Sequence, residues 1–544
     1  MRTRYVNLRG FTGRAGEPLL SSFDVVDGRF ADPEPGASPD RVVDLQGAFV
    51  SPAFVDAHCH PDLVAGILNQ VPCVPPAVSS IDEMVERLRE SPAAQSGEGW
   101  ILGWGYDESL LSDGRSPSRH DLDRVSTTQP VMIRRSDCHT VCVNTAALRL
   151  AGVTAETPDP AGGRIGREGS GEPDGIFSEA PALAVIEAAL PKGGADDAVK
   201  TLLPLQAHYC ERGILAVTDM MGHRTGGADD SLFRWREAEA AGLSVDCLFY
   251  AIWTGGEDPF GMPEMTPEET TGRSRYVGVK LFADGSISGR TAAVREPYKF
   301  ELGEQPENPC GTMTLSEPVY RAAAAYARRN GLQVSIHVMG DRSIDAILSW
   351  LEDEPGEWVK GAPSIRLEHV TLLRPEHLEK MKSLRVKPAL TTQPIFPFAE
   401  WRSYHANLTK SVFADCYRIK TIADAVDAFA LSSDAPATTW ADPDQVFTSI
   451  YAAVTRLDSD GGAFNSDEAV DPATALSLYT SRAVKVMPIE GYGRIAAGEP
   501  AHFIAMTGSP LEIAPENLDR IRTAAVWRSG ELIWTASAFR SHDR

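Results

Sequence analysis

Ser51-Pro52-Ala53-Phe54-Val55-Asp56-Ala57-His58-Cys59-His60 is an apolar run that closes on two histidines two positions apart. Residues i and i+2 of a strand face the same side, so a strand over Ser51 to Ala57 delivers both imidazoles to one place at its end. Neutral imidazole is a good ligand for zinc and its neighbours. Taken alone, the segment reads equally well as a pair of surface histidines. Working outward, His337 and His369 close two further strand candidates, Gln333 to His337 and Ile365 to His369. Leu215 to Asp219, Val277 to Phe282 and Ala428 to Ser432 have the same short apolar character. Helical patterns lie between them; the clearest, Ser316 to Asn330, is rich in Ala and Arg and stops at Gly331 as a helix C-terminus should. Strand and helix alternating in series argue for a parallel sheet of the α/β class, closed as a TIM barrel. In a barrel the C-terminal strand ends meet on one face, so histidines far apart in sequence converge there.

The ends of the chain follow another pattern. Ser22 to Gly28 and Arg41 to Leu45 alternate between Gly- and Pro-rich turns, and His502 to Met506 and Ala524 to Trp534 repeat this near the C-terminus, the latter as a hairpin turning at Ser529-Gly530. The two ends are expected to complete one β-layer. Residues from about 66 to 200, rich in Pro, Gly and acidic groups, break the barrel rhythm and read as an insertion. The expected organisation is therefore 1–50 as the first part of the terminal β-domain, 51–490 as the barrel with its insertion, and 491–544 as the second part of the β-domain.

Composition narrows the function. The 544 residues are 43% hydrophobic and 23% charged, the profile of a globular protein with ample core. Lys and Arg number 52 against 75 Asp and Glu, a formal charge of -23 that repels phosphate backbones and anionic lipid; neither nucleic acid nor membrane is an expected partner. The N-terminus lacks the apolar stretch of a secretory signal, and no run approaches the roughly 18 apolar residues of a membrane span. Eight scattered cysteines fit reduced thiols in the cytoplasm. Cys138 and Cys142 stand four apart but lack the second pair of a zinc finger.

Two further residues carry chemistry. Asp434 follows the apolar run Phe429 to Ser433, and the Ala435-Pro436 that comes next favours an extended turn; a carboxylate at a strand end beside a metal is a natural proton carrier, whereas a turn aspartate is its ordinary fate. Lys280 lies inside the apolar run Val277 to Phe282, where a bare ammonium is costly. It needs an acidic partner, with Asp284 and Glu179 as candidates, or conversion to a carbamate by carbon dioxide, which turns the cation into a metal-bridging anion.

Val55-Asp56-Ala57-His58-Cys59-His60, Gly103-Trp104-Gly105-Tyr106-Asp107, Val279 to Ser286, His337 to Arg342, Leu367-Glu368-His369 and Ser433-Asp434-Ala435-Pro436, in that order, resemble the amidohydrolase superfamily and, more narrowly, its YtcJ-like branch related to N-substituted formamide deformylases. The resemblance covers nearly the whole chain. It implies a distorted TIM barrel, a small β-sandwich built from both termini, and an insertion that helps cover the substrate. It also implies that His58 and His60 hold the more buried metal, His337 and His369 a second one, carboxylated Lys280 bridges them, and Asp434 contacts the buried metal and the attacking water. Zinc is the expected ion, one or two per chain, with Glu179 as the rival acidic ligand if Lys280 stays unmodified. Two departures stand out: Ala501-His502-Phe503 has histidine where the family usually has aspartate, and Cys138 stands where glycine usually precedes His139.

The expected reaction is hydrolysis of an amide-like carbon–nitrogen bond in a small molecule, such as an N-formyl or N-acyl amine, by a metal-activated hydroxide, with Asp434 moving the proton and His139 or Arg290 assisting the oxyanion. A deaminase or an esterase would use the same centre, and a non-catalytic binding protein would keep the fold without turnover. Trp104, Tyr106, Phe282, Phe396 and Trp401 lie near the motifs and read either as core or as a wall for an apolar substrate group. A homodimer is the default assembly.

Overall fold

Eight short segments, nearly all buried along their length, form the central sheet: β1 (Phe54–Cys59), β2 (Ile214–Gly222), β3 (Asp246–Ile252), β4 (Arg275–Phe282), β5 (Gln333–Val338), β6 (Ile365–His369), β7 (Ala389–Thr392) and β8 (Phe429–Leu431). The computed structural model describes residues 1–33, 38–136, 139–191, 196–227, 229–300, 308–537, 539 and 541–543. All seven ladders are parallel, in the order β1-β2-β3-β4-β5-β6-β7-β8. The gap between β8 and β1 is bridged just past the strand ends, where Asp434 N donates to His58 O (2.8 Å) and His60 N to Ala435 O (2.8 Å). The result is a nearly closed, distorted TIM barrel. The helix expected over Ser316 to Asn330 runs Glu317–Asn330, with Ser316 at its N-cap and Gly331 left-handed at φ 65°.

One strand expectation needs correction. Ser51 to Ala57 is not a single strand: Arg41–Pro52 is the long strand of the terminal β-domain, and β1 begins at Phe54. The apolar character is continuous because both pieces are buried, so hydrophobicity alone conceals the change of sheet at Ala53. β3 and β7 were not among the sequence candidates.

The terminal strands share one eight-stranded mixed sheet. Phe503–Met506 pairs antiparallel with the end of Arg41–Pro52, which pairs parallel with Arg2–Gly10, and Leu20–Val26 follows. Phe23 and Phe503 stand three strands apart, about 14 Å in a flat sheet, yet their rings are 5.2 Å apart. The sheet therefore folds over on itself as a small sandwich around Tyr5, Phe23, Phe30, Phe503 and Trp527. Its hairpin turns at Ser529-Gly530, as expected.

The described chain divides into two compact units. One comprises residues 1–61, 202–435 and 444–544, the other residues 62–201 and 436–443. The second has its own six-stranded mixed sheet, with Ile101–Tyr106, Val131–Arg135 and Thr140–Val143 at its centre. Val131 and Ile133 pack into one core and Met132 into another, as expected of a strand buried on both faces. Among the described residues, no helix is long and apolar enough to cross a membrane.

Candidate metal centre

His58 is held at both ring nitrogens. Nδ1 lies 2.8 Å from Glu368 Oε2; a carboxylate only accepts, so Nδ1 carries a hydrogen, and Nε2 is the atom turned toward Asp434. Nε2 lies 3.1 Å from Asp434 Oδ1, and with an ion between them it would offer its lone pair. His60 Nε2 lies 2.9 Å from the same oxygen, and its buried Nδ1 has no hydrogen-bond partner among the described residues. Two imidazole nitrogens converging on one carboxylate oxygen in a buried site form a donor set that could hold a cation.

The turn that follows β8 puts Asp434 there. Its backbone is left-handed (φ 55°), a region aspartate tolerates better than most residues. Ser433 donates from its backbone N to Asp56 Oδ1 (3.1 Å) and from its hydroxyl to Asp56 Oδ2, tying the turn to β1. Burial pushes the Asp56 carboxyl up to about 7, against the pull of the donors on Ser433 and His58.

The other half of the centre lies on β4, β5 and β6, where Phe282 pairs with His337 and Val338 with His369. His337 Nε2 donates to Gly285 O (3.0 Å), leaving Nδ1 free as a ligand atom. His369 Nδ1 donates to Gln393 Oε1 (2.9 Å), whose amide nitrogen donates to Ser432 (2.9 Å), so Nε2 is the free atom. The His369 ring centroid is 4.4 Å from that of His337 and 4.8 Å from that of His58. Burial, with the nearby Lys280 charge, brings His337 down to about 4, and burial with the His337 charge holds His369 well below its usual range; both are neutral near pH 7, the form that binds metal. His58, His369 and Asp434 offer ligand atoms within 4.8 Å of one another, the one such group among the described residues.

Lys280 is 1% exposed on β4, its Nζ 5.4 Å from the Phe282 ring centroid. Among the described residues no carboxylate lies within ion-pair distance. Asp284, one expected partner, is instead occupied by the backbone N–H groups of Met339 (3.0 Å), Gly340 (2.9 Å) and Ala293 (3.1 Å). Burial brings the lysine down to about 8, partly countered by the charges of Glu368 and Asp434.

His139 and Glu179 belong to the second unit, where Nδ1 and Oε2 are 3.1 Å apart and both side chains are exposed. Arg290 donates from Nε to Asn407 Oδ1 (2.7 Å) and stacks on Phe300. Cys138 lies outside the described residues, while Cys142 is a buried member of the second unit's core. His502 accepts from Ser529 N (3.1 Å) and stacks on Tyr492 in the terminal domain. Of the motif aromatics, Trp104, Tyr106 and Phe396 are buried, whereas Phe282 is 42% exposed at the end of β4, 5.9 Å from His337.

Sequence reasoning did not single out Glu368 and Arg366. Strict alternation places Glu368 and His369 on opposite faces, but His369 is left-handed (φ 72°). The broken pleat lets the carboxylate and the next imidazole both address His58. The available signal was Arg366-Leu367-Glu368, opposite charges two apart in a buried strand.

Comparison with known proteins bears on this centre. A family model described as "Amidohydrolase family" matches residues 41–534. YtcJ of Bacillus subtilis (strain 168), named as an amidohydrolase, is 27% identical over 521 residues, 92% of each chain. The N-substituted formamide deformylase of Arthrobacter pascens is 27% identical over 518 residues, 91% of this chain and 90% of its own. A solved metal-dependent hydrolase from Pyrococcus horikoshii has the same fold, with a TM-score of 0.71 at 24% identity over 95% of this chain and 99% of its own.

Proposed function

Because this chain belongs to the amidohydrolase family, and is a metal-dependent hydrolase of carbon–nitrogen bonds other than peptide bonds, we propose that it deacylates small N-formyl or N-acyl amines. His58, His60, His337, His369, Asp434 and Lys280, the last as its carbamate, would hold zinc, one or two ions per chain. The observation that carries it is the convergence of His58 and His60 on Asp434 Oδ1, at 3.1 and 2.9 Å, with His58 Nδ1 already committed to Glu368. Nitrogen and carboxylate donors in a buried cluster suit zinc. With unmodified Lys280, the same residues hold a single ion.

A divalent ion held there would supply Lewis acidity, which brings the pKa of water from 15.7 toward roughly 7. Asp434 is the group placed to take a proton from the attacking water and return it to the leaving nitrogen, without which an amine departs poorly. Arg290 is assigned to the oxyanion. A lysine brought down to about 8 by burial is about one-tenth neutral amine at pH 7. That fraction supports reaction with carbon dioxide, in which nitrogen attacks carbon and one proton is released to give the carbamate. Exposed Phe282 supports an apolar or aromatic substituent on the substrate nitrogen. The seven described cysteines are all free, which supports a cytoplasmic setting; a homodimer remains the default assembly.

The test is a panel of N-formyl amines, N-acyl amines, simple esters and amino-heterocycles, scored for amine, acid and ammonia. Amine released from the first two classes supports the proposal. Turnover confined to esters or ammonia release assigns the centre to an esterase or deaminase, and metal without any turnover returns the chain to a binding role.

A further inference from the structure

Arg366 and Glu368 form a fully buried ion pair, with Nε 2.9 Å from Oε1, beneath the centre just described. Burying two charges costs several kcal/mol per ion, and apolar replacements of such pairs are often as stable or more so. Stability alone therefore gives no reason for its presence. What the pair touches does. Glu368 accepts from His58 Nδ1 (2.8 Å), from the Ser335 hydroxyl (2.8 Å) and from the Thr391 hydroxyl. Arg366 donates to the carbonyl of Ala57 (2.7 Å) and to the Tyr250 hydroxyl (3.0 Å). The pair thus grips His58 twice, by its ring and by the peptide that precedes it. The partners come from β1, β3, β5 and β7, while the pair sits on β6, so the grip is braced across the barrel.

We propose that Arg366 and Glu368 are positioning residues that fix the tautomer and orientation of His58, and thereby set how tightly the centre holds its ion. The proposal rests on the metal-hydrolase reading above. A neutral imidazole free of constraint exchanges its hydrogen between the two nitrogens, and one with hydrogen on Nε2 has no lone pair to offer Asp434's side of the site. A carboxylate at Nδ1 removes that form, because it has no hydrogen to give. It also makes Nε2 a more basic ligand. The hydroxyls of Ser335 and Thr391 and the guanidinium of Arg366 occupy the remaining capacity of Glu368, so the carboxylate is held facing the ring.

Two measurements test it. In the first, zinc affinity is measured by chelator competition for wild type, Arg366→Met/Glu368→Leu and Arg366→Met/Glu368→Gln, with thermal melting as the check on folding. Removing both charges leaves neither member of the pair unpaired, so the Leu double variant is expected to fold and to bind zinc about 10- to 100-fold more weakly. The Gln double variant, which keeps a neutral acceptor for Nδ1, regains most of that loss. A Leu double variant that binds zinc within about twofold of wild type overturns the proposal. The second measurement needs no variant. Metal-free wild type labelled with 15N-histidine should carry hydrogen on His58 Nδ1, and a His58 with hydrogen on Nε2 alone overturns the proposal. Wild type that binds no zinc refutes the metal-hydrolase reading instead, and the tautomer still decides the role of the pair.

Discussion

Replacing Asp434 with asparagine isolates the proton carrier from the scaffold. Asn is nearly isosteric, and the turn is held by backbone and by neighbours: Asp434 N donates to His58 O at 2.8 Å, and Ser433 is bonded to Asp56. Folding should survive. What changes is the oxygen that sits 3.1 Å from His58 Nε2 and 2.9 Å from His60 Nε2, which loses its negative charge and its capacity to carry a proton. General acid–base groups contribute about 10²- to 10⁴-fold, so kcat/KM should fall by at least about 10²-fold, or ~2.7 kcal/mol of transition-state stabilisation. The assay is amine release from an N-formyl amine at matched metal content, with melting as the folding control. A metal-loaded Asp434→Asn enzyme within about fivefold of wild type refutes the proton-transfer role. Activity lost with the metal and fully restored by excess zinc reduces Asp434 to a ligand.

Lys280→Arg keeps a cation but forms no stable carbamate, so elemental analysis should find metal falling from two ions per chain to one or fewer; two retained ions contradict the bridge. Phe282→Ala should raise KM about 3- to 10-fold for substrates with an aromatic nitrogen substituent, in line with ~0.5–1.5 kcal/mol for an aromatic pair, and much less for aliphatic ones; equal effects on both place the ring outside the substrate's reach. Away from the centre, Asp444 accepts from Arg212 Nε (2.6 Å) and His208 Nε2 (2.5 Å), and Asp444→Ala leaves a guanidinium that is only 8% exposed without its main partner. The expected loss is about 3–5 kcal/mol by chemical denaturation, and a loss under 1 kcal/mol contradicts it. Burial alone would raise the Asp444 carboxyl, but the Arg212 and His208 charges outweigh it and hold the carboxyl well below its ordinary 3.8. A depressed folded pKa gives stability that is present above the unfolded value and lost as pH falls through the folded one. The wild-type advantage over Asp444→Ala should therefore be full near pH 7 and shrink below about pH 3.8; an advantage that grows on acidification contradicts the sign.

The legible part of this chain is the part where chemistry and strand ends coincide. His337 and His369 each close a run of buried residues, and the barrel brings them to 4.4 Å ring to ring; alternation and convergence suffice to anticipate that. β7 escaped because Ala389-Leu390-Thr391-Thr392 is half polar and lacks the apolar run that marks the other candidates. β3 opens with Asp246 and carries two aromatics, a pattern that does not separate strand from buried helix. The join at Ala53 was invisible because both flanking strands are buried. Glu368 was hidden by the rule that located its neighbours: a pleated strand sends adjacent residues apart, and only the left-handed His369 brings both to one site. Strain of this kind, shared by Asp434 at φ 55° and Val370 at φ 37°, clusters where function overrides local preference. The aromatic residues show the opposite limit, since sequence gives Phe282 and Phe396 equal standing and only burial separates them.

The most direct measurement is metal content per chain on gently purified protein, paired with N-formyl amine hydrolysis before chelation, after chelation and after adding zinc back. The account predicts near two ions per chain and hydrolysis that is lost on chelation and returns with zinc. Hydrolysis that persists in metal-free protein would contradict it.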